Sequence, residues 1–243
     1  MVHSLPPNQD FFRVTTVGRR WRDVLSGRGA LYLTATGNRY NAVLQRAAYV
    51  SNELSVAVAE FAYYVARDWH TRLGNHHILP VPSPLQSDYV LWQFTLQRPT
   101  YVIDVGAGLR VALPPFALLN PGHNYAATQW LANHATATPA PGHASPHPGL
   151  KVPAVRSRHG AAAHESNFVL YRLPNSPRGQ LTARWKLRIE FLDIHGNVVV
   201  AGSPRVDWAH PRFKLLAPPR PPGPQPPAPY ALNIWHPLFI NFL

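Results

Sequence analysis

The sequence predicts an α+β fold in one strand-rich domain, and three observations support this class. Segments with the short apolar or alternating pattern of strands outnumber the helical segments. Strands and helices follow each other in mixed order, without the regular strand–helix repeat of a parallel α/β fold. The 243 residues, of which 46% are apolar, suffice to bury one sizeable core.

The predicted strands are short and rich in β-branched, aromatic or other apolar residues. Five of them are FFRVTT (11–16), RAAYVS (46–51), DYVLWQFTL (88–96), TYVIDV (100–105) and NFVLYRL (167–173). A sixth segment, WKLRIEFLD (185–193), alternates apolar and charged residues, so one of its faces is expected to be buried. The turn His195-Gly196-Asn197 leads from it into VVV (198–200), which predicts a hairpin.

Two helices are predicted. The first is capped by Ser51 or Asn52 and carries apolar residues at helical spacing. These apolar residues are Leu54, Val58, Phe61 and Val65. The second helix is shorter and spans residues 125–134.

The domain boundaries follow from composition. We expect one domain over residues 11–216, followed by a spacer at 217–229, APPRPPGPQPPAP, whose prolines exclude both helix and sheet. The apolar segment 230–243 is too short and too proline-interrupted to span a bilayer, so it docks either on the body of the protein or on a partner.

The charge balance is strongly basic and suggests an anionic partner. The chain has 23 Lys+Arg against 11 Asp+Glu, a net charge of +12. The arginines are scattered, so a nucleic-acid-binding protein is kept as an alternative that rests on net charge alone. Without cysteine, thiolate metal sites and disulfides are excluded, and the histidines lie in loops without ligand spacing, so no metal site is predicted. No signal peptide or membrane span is recognisable, and we expect a cytoplasmic protein.

Glu60 is an unusual residue in the predicted first helix. Its neighbours three and four positions away offer no cation: Val56, Ala57, Tyr63 and Tyr64. Glu60 is therefore either an ordinary exposed glutamate or a partly buried site residue. In the second case it needs a hydrogen-bond donor from elsewhere in the fold, because an unpaired buried charge is very costly.

Arg39 and Tyr49 have similarly open interpretations. Arg39 follows a glycine turn, where a guanidinium is suited to grip a phosphate or carboxylate, although a solvated turn arginine is the ordinary alternative. Tyr49, in the extended segment before the helix, is by default a core aromatic residue whose hydroxyl reaches the surface.

Together these segments resemble the RES domain family. GNRYN…AAYVSNELSVAVAEF resembles the core signature: a Gly-x-Arg-[Phe/Tyr]-Asn turn, an Ala-x-Tyr strand, and a helix whose Glu follows small residues. VPAVRSRHGAAAHESNFVLYR resembles the second signature, in which a Pro-Ser-x-Arg element and a small-residue loop precede an Asn that begins an apolar strand. FFRV and TYVIDV are similar to the opening and central strands of the family, so the resemblance covers residues 11–175.

The resemblance implies a fold similar to that of ADP-ribosyltransferase domains and an NAD⁺-degrading toxin of a bacterial toxin–antitoxin pair. NAD⁺ is then the substrate, no cofactor is needed, and the partner is an Xre-like antitoxin through which any contact with nucleic acid is made. Glu60 is implied as the catalytic carboxylate, with Arg39 and Tyr49 beside it. The residues implied to bind NAD⁺ are Arg13, Arg156 and Asn167.

The implied chemistry suits these residue types, with one departure. Cleavage of the nicotinamide–ribose bond passes through an oxocarbenium-like ribose, which a carboxylate stabilises, while arginines hold the pyrophosphate. Ala154 stands where the second signature has serine. This departure leaves three alternatives open: a weaker enzyme, a domain that binds NAD⁺ or ADP-ribose without turnover, or replacement of the serine by Ser157.

Overall fold

A computed structural model of the chain describes residues 2–25, 40–42, 45–61, 88–105, 125–137, 148–154, 166–171, 178–193, 208–216 and 232–233. These residues form a mixed, strand-rich sheet flanked by helices, which confirms the predicted α+β class. No helix among them has both the length and the apolar character needed to cross a membrane.

The described strands belong to one sheet, in the order β1-β5-β6-β7-β3-β2-β4-β8-β9-β10. Their bounds are β1 Val2–Leu5, β2 Phe11–Thr16, β3 Ala47–Ser51, β4 Asp88–Leu96, β5 Thr100–Asp104, β6 Gly149–Pro153, β7 Ser166–Tyr171, β8 Gly179–Asp193, β9 Trp208–Leu216 and β10 Leu232–Asn233. The helices are α1 (Trp21–Val24), α2 (residues 54–61) and α3 (Ala126–Ala137). Among these pairs, β5 and β6 run parallel and the others antiparallel.

Most predicted strands appear at or near their predicted positions. β2 and β4 have the predicted bounds, and β3, β5 and β7 differ from theirs by one or two residues. β8 pairs with β9, which begins at Trp208 and was not predicted from the sequence. The predicted turn at 195–197 and the segment 198–200 lie outside the described residues. Sequence patterning also missed the short elements β1, β6, β10 and α1, and the nine-residue strand β9.

The sheet has two differently covered faces, because successive side chains of a strand alternate and directly paired residues share a face. The site face carries Phe12, Ser51 and Asn167, which are joined by the pairs Phe12↔Ser51 and Ser51↔Asn167. α3 packs on this face through Leu131, and Phe61 of α2 contacts the Tyr89 ring at 4.8 Å. Both longer helices therefore cover the site face.

The opposite face, called the α1 face, carries Phe11, Arg13, Val50 and Phe168. Its core is aromatic: the Phe11 ring lies 5.5 Å from Phe168 in an edge-to-face contact. α1 closes this face, with the Trp21 ring 5.6 Å from Phe94 and 5.9 Å from Trp92. The α1 face thus combines an aromatic core with Arg13, whereas Tyr49, Ser51 and Asn167 lie on the site face.

The C-terminal segment docks at least partly on the body of the protein. Leu232 and Asn233 form β10, which pairs with Phe213 and Arg212 of β9. The proline-rich spacer at 217–229 lies outside the described residues, so the predicted boundaries at 216 and 229 stay predictions.

Candidate functional site

Glu60 meets Asn167 on the site face. Glu60 is half-buried in α2, and its Oε1 accepts a hydrogen bond of 2.9 Å from Nδ2 of Asn167. Asn167 is 107 residues further along the chain, near the start of β7. Glu60 is thus partly buried and has a hydrogen-bond donor from a distant part of the chain, while its role as a site residue stays a prediction.

Ser51 extends this contact on the neighbouring strand. Its hydroxyl donates to Oδ1 of Asn167 at 2.5 Å, and Ser51 itself is almost fully buried. Ser51 and Asn167 are direct register partners in the β3–β7 ladder, which holds their side chains next to each other. Ser51, Asn167 and Glu60 therefore form a continuous hydrogen-bonded row from strand to helix.

Asn52 secures the same junction through the backbone. Its Oδ1 accepts a 2.9 Å hydrogen bond from the backbone nitrogen of Ser166, and its own backbone nitrogen donates to the Ser166 carbonyl. The polar side chains of Ser51 and Asn52, which the sequence suggested as caps of α2, thus both bond across to β7.

Tyr49 lies on the site face but uses its hydroxyl within the protein. The hydroxyl donates to Oδ1 of Asn41 at 2.8 Å and accepts from the backbone nitrogen of Tyr40 at 3.0 Å. Asn41 is fully buried and also donates to the Gln45 carbonyl at 3.1 Å. Tyr49 therefore fixes the chain immediately after the predicted site residue Arg39, which itself lies outside the described residues.

Further hydrogen bonds connect Tyr40 to β7 and Gln45 to α3. The Tyr171 hydroxyl, at the end of β7, donates to the Tyr40 carbonyl at 2.7 Å. The Gln45 side chain accepts from the Ala42 nitrogen at 3.0 Å and donates to Thr136 of α3 at 3.1 Å. Burial raises the pKa of Tyr171 well above its ordinary value, and the neighbouring Tyr49 and Tyr40 add to the rise. The hydroxyl consequently stays a donor at neutral pH.

Arg13 lies on the α1 face, away from Glu60 and Asn167. It is almost fully buried, and its Nη1 donates to the carbonyl of Val24, at the end of α1. Burial lowers its pKa to about 9, and the positive charge of Arg19 contributes further, so Arg13 stays charged at neutral pH. The structure does not bring Arg13 together with the Glu60 row, and its predicted contact with the dinucleotide stays a prediction.

The position of the missing serine is close to this row. Val152 pairs with Asn167 and Pro153 with Ser166, so Ala154 follows directly at the end of the β6–β7 ladder. Ala154 is fully buried. A hydroxyl at position 154 would therefore be enclosed by protein near Asn167. Arg156 and Ser157 lie outside the described residues.

The roles of Ser51 and Tyr171 were not anticipated from the sequence. Ser51 carries a usable signal: it is two residues after Tyr49 in a strand, so both side chains share a face. Tyr171 offers no comparable signal, since its bond to Tyr40 spans 131 residues. Within the described ranges, no three His, Asp or Glu residues are grouped so that they could hold a metal ion.

Comparison with known proteins agrees with the geometry. The family model described as RES domain matches residues 11–190, which is more than half of the chain. A comparison with curated proteins gives no match. The matched range contains both ends of the Ser51–Asn167–Glu60 row and all of β2 to β7. The chain belongs to the RES domain family.

Proposed function

We propose that this RES domain cleaves the nicotinamide–ribose bond of NAD⁺, by hydrolysis or phosphorolysis, and arrests bacterial growth as the toxin of a toxin–antitoxin pair. The observation that carries the proposal is the 2.9 Å contact between Glu60 and Asn167. It joins the two family signatures at a half-buried carboxylate, in a sheet that we further propose to be similar to the ADP-ribosyltransferase fold.

Glu60 is proposed as the catalytic carboxylate. As the bond to nicotinamide breaks, positive charge develops on the ribose, and a carboxylate beside it stabilises the transition state more than the ground state. Nicotinamide leaves as a neutral molecule, because the ring carries a positive charge before cleavage. A strong general acid is therefore unnecessary, and the work of Glu60 is electrostatic.

Binding of the dinucleotide is proposed for the arginines of the motifs. Arg39 follows directly on the glycine turn, and the hydroxyls of Tyr49 and Tyr171 hold the next residue, Tyr40, through its backbone. A guanidinium beside a backbone segment held in this way is proposed to grip phosphate bidentately. The resemblance also implies Arg13, Arg156 and Asn167 as contacts of NAD⁺; the hydrogen bonds of Arg13 and Asn167 within the protein favour other roles for these two, and Arg156 is kept as a proposed contact.

The test is expression in bacteria with measurement of cellular NAD⁺, followed by nicotinamide release from purified protein. The wild type is expected to deplete NAD⁺, and Glu60→Gln to lose about 100-fold or more of the cleavage rate, since it keeps the shape but removes the charge. Glu53→Gln is the matched control, because Glu53 is an exposed carboxylate just before the same helix. The proposal would be contradicted if cellular NAD⁺ stayed level when the wild type is expressed, or if Glu60→Gln and Glu53→Gln lost the same fraction of the cleavage rate.

The second candidate is a RES domain that binds NAD⁺ or ADP-ribose without turnover. The fully buried Ala154 favours it, because the motif serine is missing two residues after Val152, the register partner of Asn167. On this alternative, calorimetry detects binding of ADP-ribose to the wild type, and nicotinamide release appears only in the Ala154→Ser variant. Cleavage by the wild type excludes it.

The proposed protein partner is an antitoxin with an Xre-like helix-turn-helix region, and contact with nucleic acid is proposed to occur through it. Cleavage of cellular NAD⁺ further requires that the chain act in the cytoplasm. Sequencing of the adjacent reading frame tests the pairing: co-expression of an Xre-like neighbour is expected to restore growth, whereas growth arrest that persists despite it would contradict this partner.

A further inference from the structure

We propose that Ser51 and Asn167 are a positioning pair that sets the orientation of the Glu60 carboxylate. The inference rests on the proposed function for its catalytic consequence, since the orientation matters only if Glu60 faces a developing cation. The geometry of the pair is testable independently of turnover.

The direction of the two hydrogen bonds is fixed by chemistry. A carboxylate only accepts, so the amide must turn Nδ2 toward Glu60, at 2.9 Å. Oδ1 of Asn167 then faces Ser51, whose hydroxyl donates to it at 2.5 Å. The two hydrogen bonds therefore favour the same orientation of the Asn167 amide, and loss of either bond is expected to weaken the other.

The scaffold under the pair is rigid. Ser51 and Asn167 are directly opposite in the β3–β7 ladder, and the two bonds between Asn52 and Ser166 lock the adjacent backbone. Glu60 lies nine residues after Ser51 in the chain, and the hydrogen bond from Asn167 to Glu60 ties α2 to β7 at the far end of this connection. A change in the amide is therefore expected to alter the position of the carboxylate.

Both polar atoms of the Asn167 side chain are thus engaged within the protein. A residue that only bound substrate would present its amide outward, whereas this amide contacts the carboxylate and a buried serine. We therefore assign Asn167 a positioning role. A misplaced carboxylate weakens stabilisation of the transition state more than it weakens substrate binding. Loss of the Asn167 side chain is therefore expected to lower kcat and to leave KM nearly unchanged.

Four variants test the pair by steady-state cleavage of NAD⁺. Asn167→Ala is expected to lower kcat about 100-fold and Ser51→Ala about tenfold, each with KM within about twofold. Ser51→Thr keeps the hydroxyl and is expected to restore most of the rate. In the Ser51→Ala/Asn167→Ala double variant, the serine change is expected to cost nothing further, because its partner is absent.

Ser166→Ala is the matched control, because Ser166 is a buried serine on the same strand as Asn167, with its side chain on the other face. Its kcat is expected to stay within about twofold of the wild type. Three results would overturn the inference: an unchanged kcat in Ser51→Ala, additive effects in the double variant, or a rise in KM without a change in kcat.

Nuclear magnetic resonance of the Asn167 side-chain amide separates this inference from the proposed function. In the wild type, the amide protons are expected to be shifted downfield and protected from exchange, and both properties are expected to be lost in Glu60→Ala and weakened in Ser51→Ala. If these signals behave so in a protein that never cleaves NAD⁺, the proposed function fails and the positioning geometry stands. Signals that are insensitive to both changes overturn the pair even in an active enzyme.

Discussion

The hydroxyl of Tyr49 lies 3.0 Å from the backbone nitrogen of Tyr40, nine residues earlier in the chain. The same hydroxyl donates to Asn41, so one phenol holds two consecutive residues of the segment that follows Arg39. Tyr49 thus holds the two residues that follow Arg39, in addition to the role beside NAD⁺ that its motif implies. The ring and the hydroxyl can therefore be tested separately.

Tyr49→Phe keeps the ring and removes both hydrogen bonds. Oδ1 of the fully buried Asn41 then loses its donor, so we expect a loss of about 1–3 kcal/mol in the free energy of unfolding. Urea denaturation measures this loss, and Tyr101→Phe, at an exposed tyrosine of β5, is the control. A free energy of unfolding equal to that of the wild type would show that the hydrogen bonds of the Tyr49 hydroxyl to Tyr40 and Asn41 do not contribute to stability.

Arg13 is expected to contribute mainly to stability. Arg13→Met removes the donor to Val24 and frees the end of α1, with an expected loss of about 1–3 kcal/mol on thermal or urea unfolding. Because Arg13 lies on the α1 face, KM for NAD⁺ is expected to stay within about twofold in the folded variant. A large rise in KM without loss of stability would instead support its predicted contact with the dinucleotide.

Tyr171 makes the protein sensitive to alkaline conditions. Its pKa is raised by burial, so above about pH 10 the unfolded chain loses this proton while the folded protein keeps it. The unfolded state then binds fewer protons, and stability falls as pH rises further. Denaturation curves between pH 8 and 11 are expected to show a shallower fall in Tyr171→Phe, although that variant starts lower because it lacks the bond to Tyr40. An identical slope in both proteins would contradict this assignment.

Gly149 marks a close approach between β6 and β7. A Cβ added there would lie 2.7 Å from the carbonyl oxygen of Val169, which is backbone and has no rotamer in which to escape. Gly149→Ala is therefore expected to cost about 1–3 kcal/mol in stability by overpacking. Thermal unfolding measures the loss of stability. A melting temperature equal to that of the wild type would show that β6 and β7 can move apart enough to accommodate the added methyl group.

The parts of the fold that sequence patterning predicted are those whose signal is local. β4 has the predicted bounds because nine consecutive residues carry a strand pattern that ends shortly before Pro99. α3 begins one residue after its predicted start and extends three residues past its predicted end. β1 and β6 have too few residues for a pattern, and they become strands because β5 and β7 provide hydrogen-bonding edges.

The residues of the candidate site likewise divide into those with a local sequence signal and those that depend on the pairing of distant strands. Glu60 was singled out because it lacks a cation on its own helix, and the family motifs pointed to Asn167. That the two side chains touch follows from the pairing of β3 with β7, which no local pattern specifies. The environment of Arg13 was likewise not predictable, since it depends on α1, a single short turn of helix.

The separation of Ser51 and Asn167 by 116 residues has a consequence for biosynthesis. The strand that carries Asn167 leaves the ribosome only after two thirds of the chain has been made, so Glu60 stays without its amide donor until then. Pairings between such distant segments also close slowly, because the loop between them must be ordered first. If the proposed cleavage of NAD⁺ holds, the activity is expected to begin only when the sheet is complete, so that the chain spares this metabolite while it is being translated.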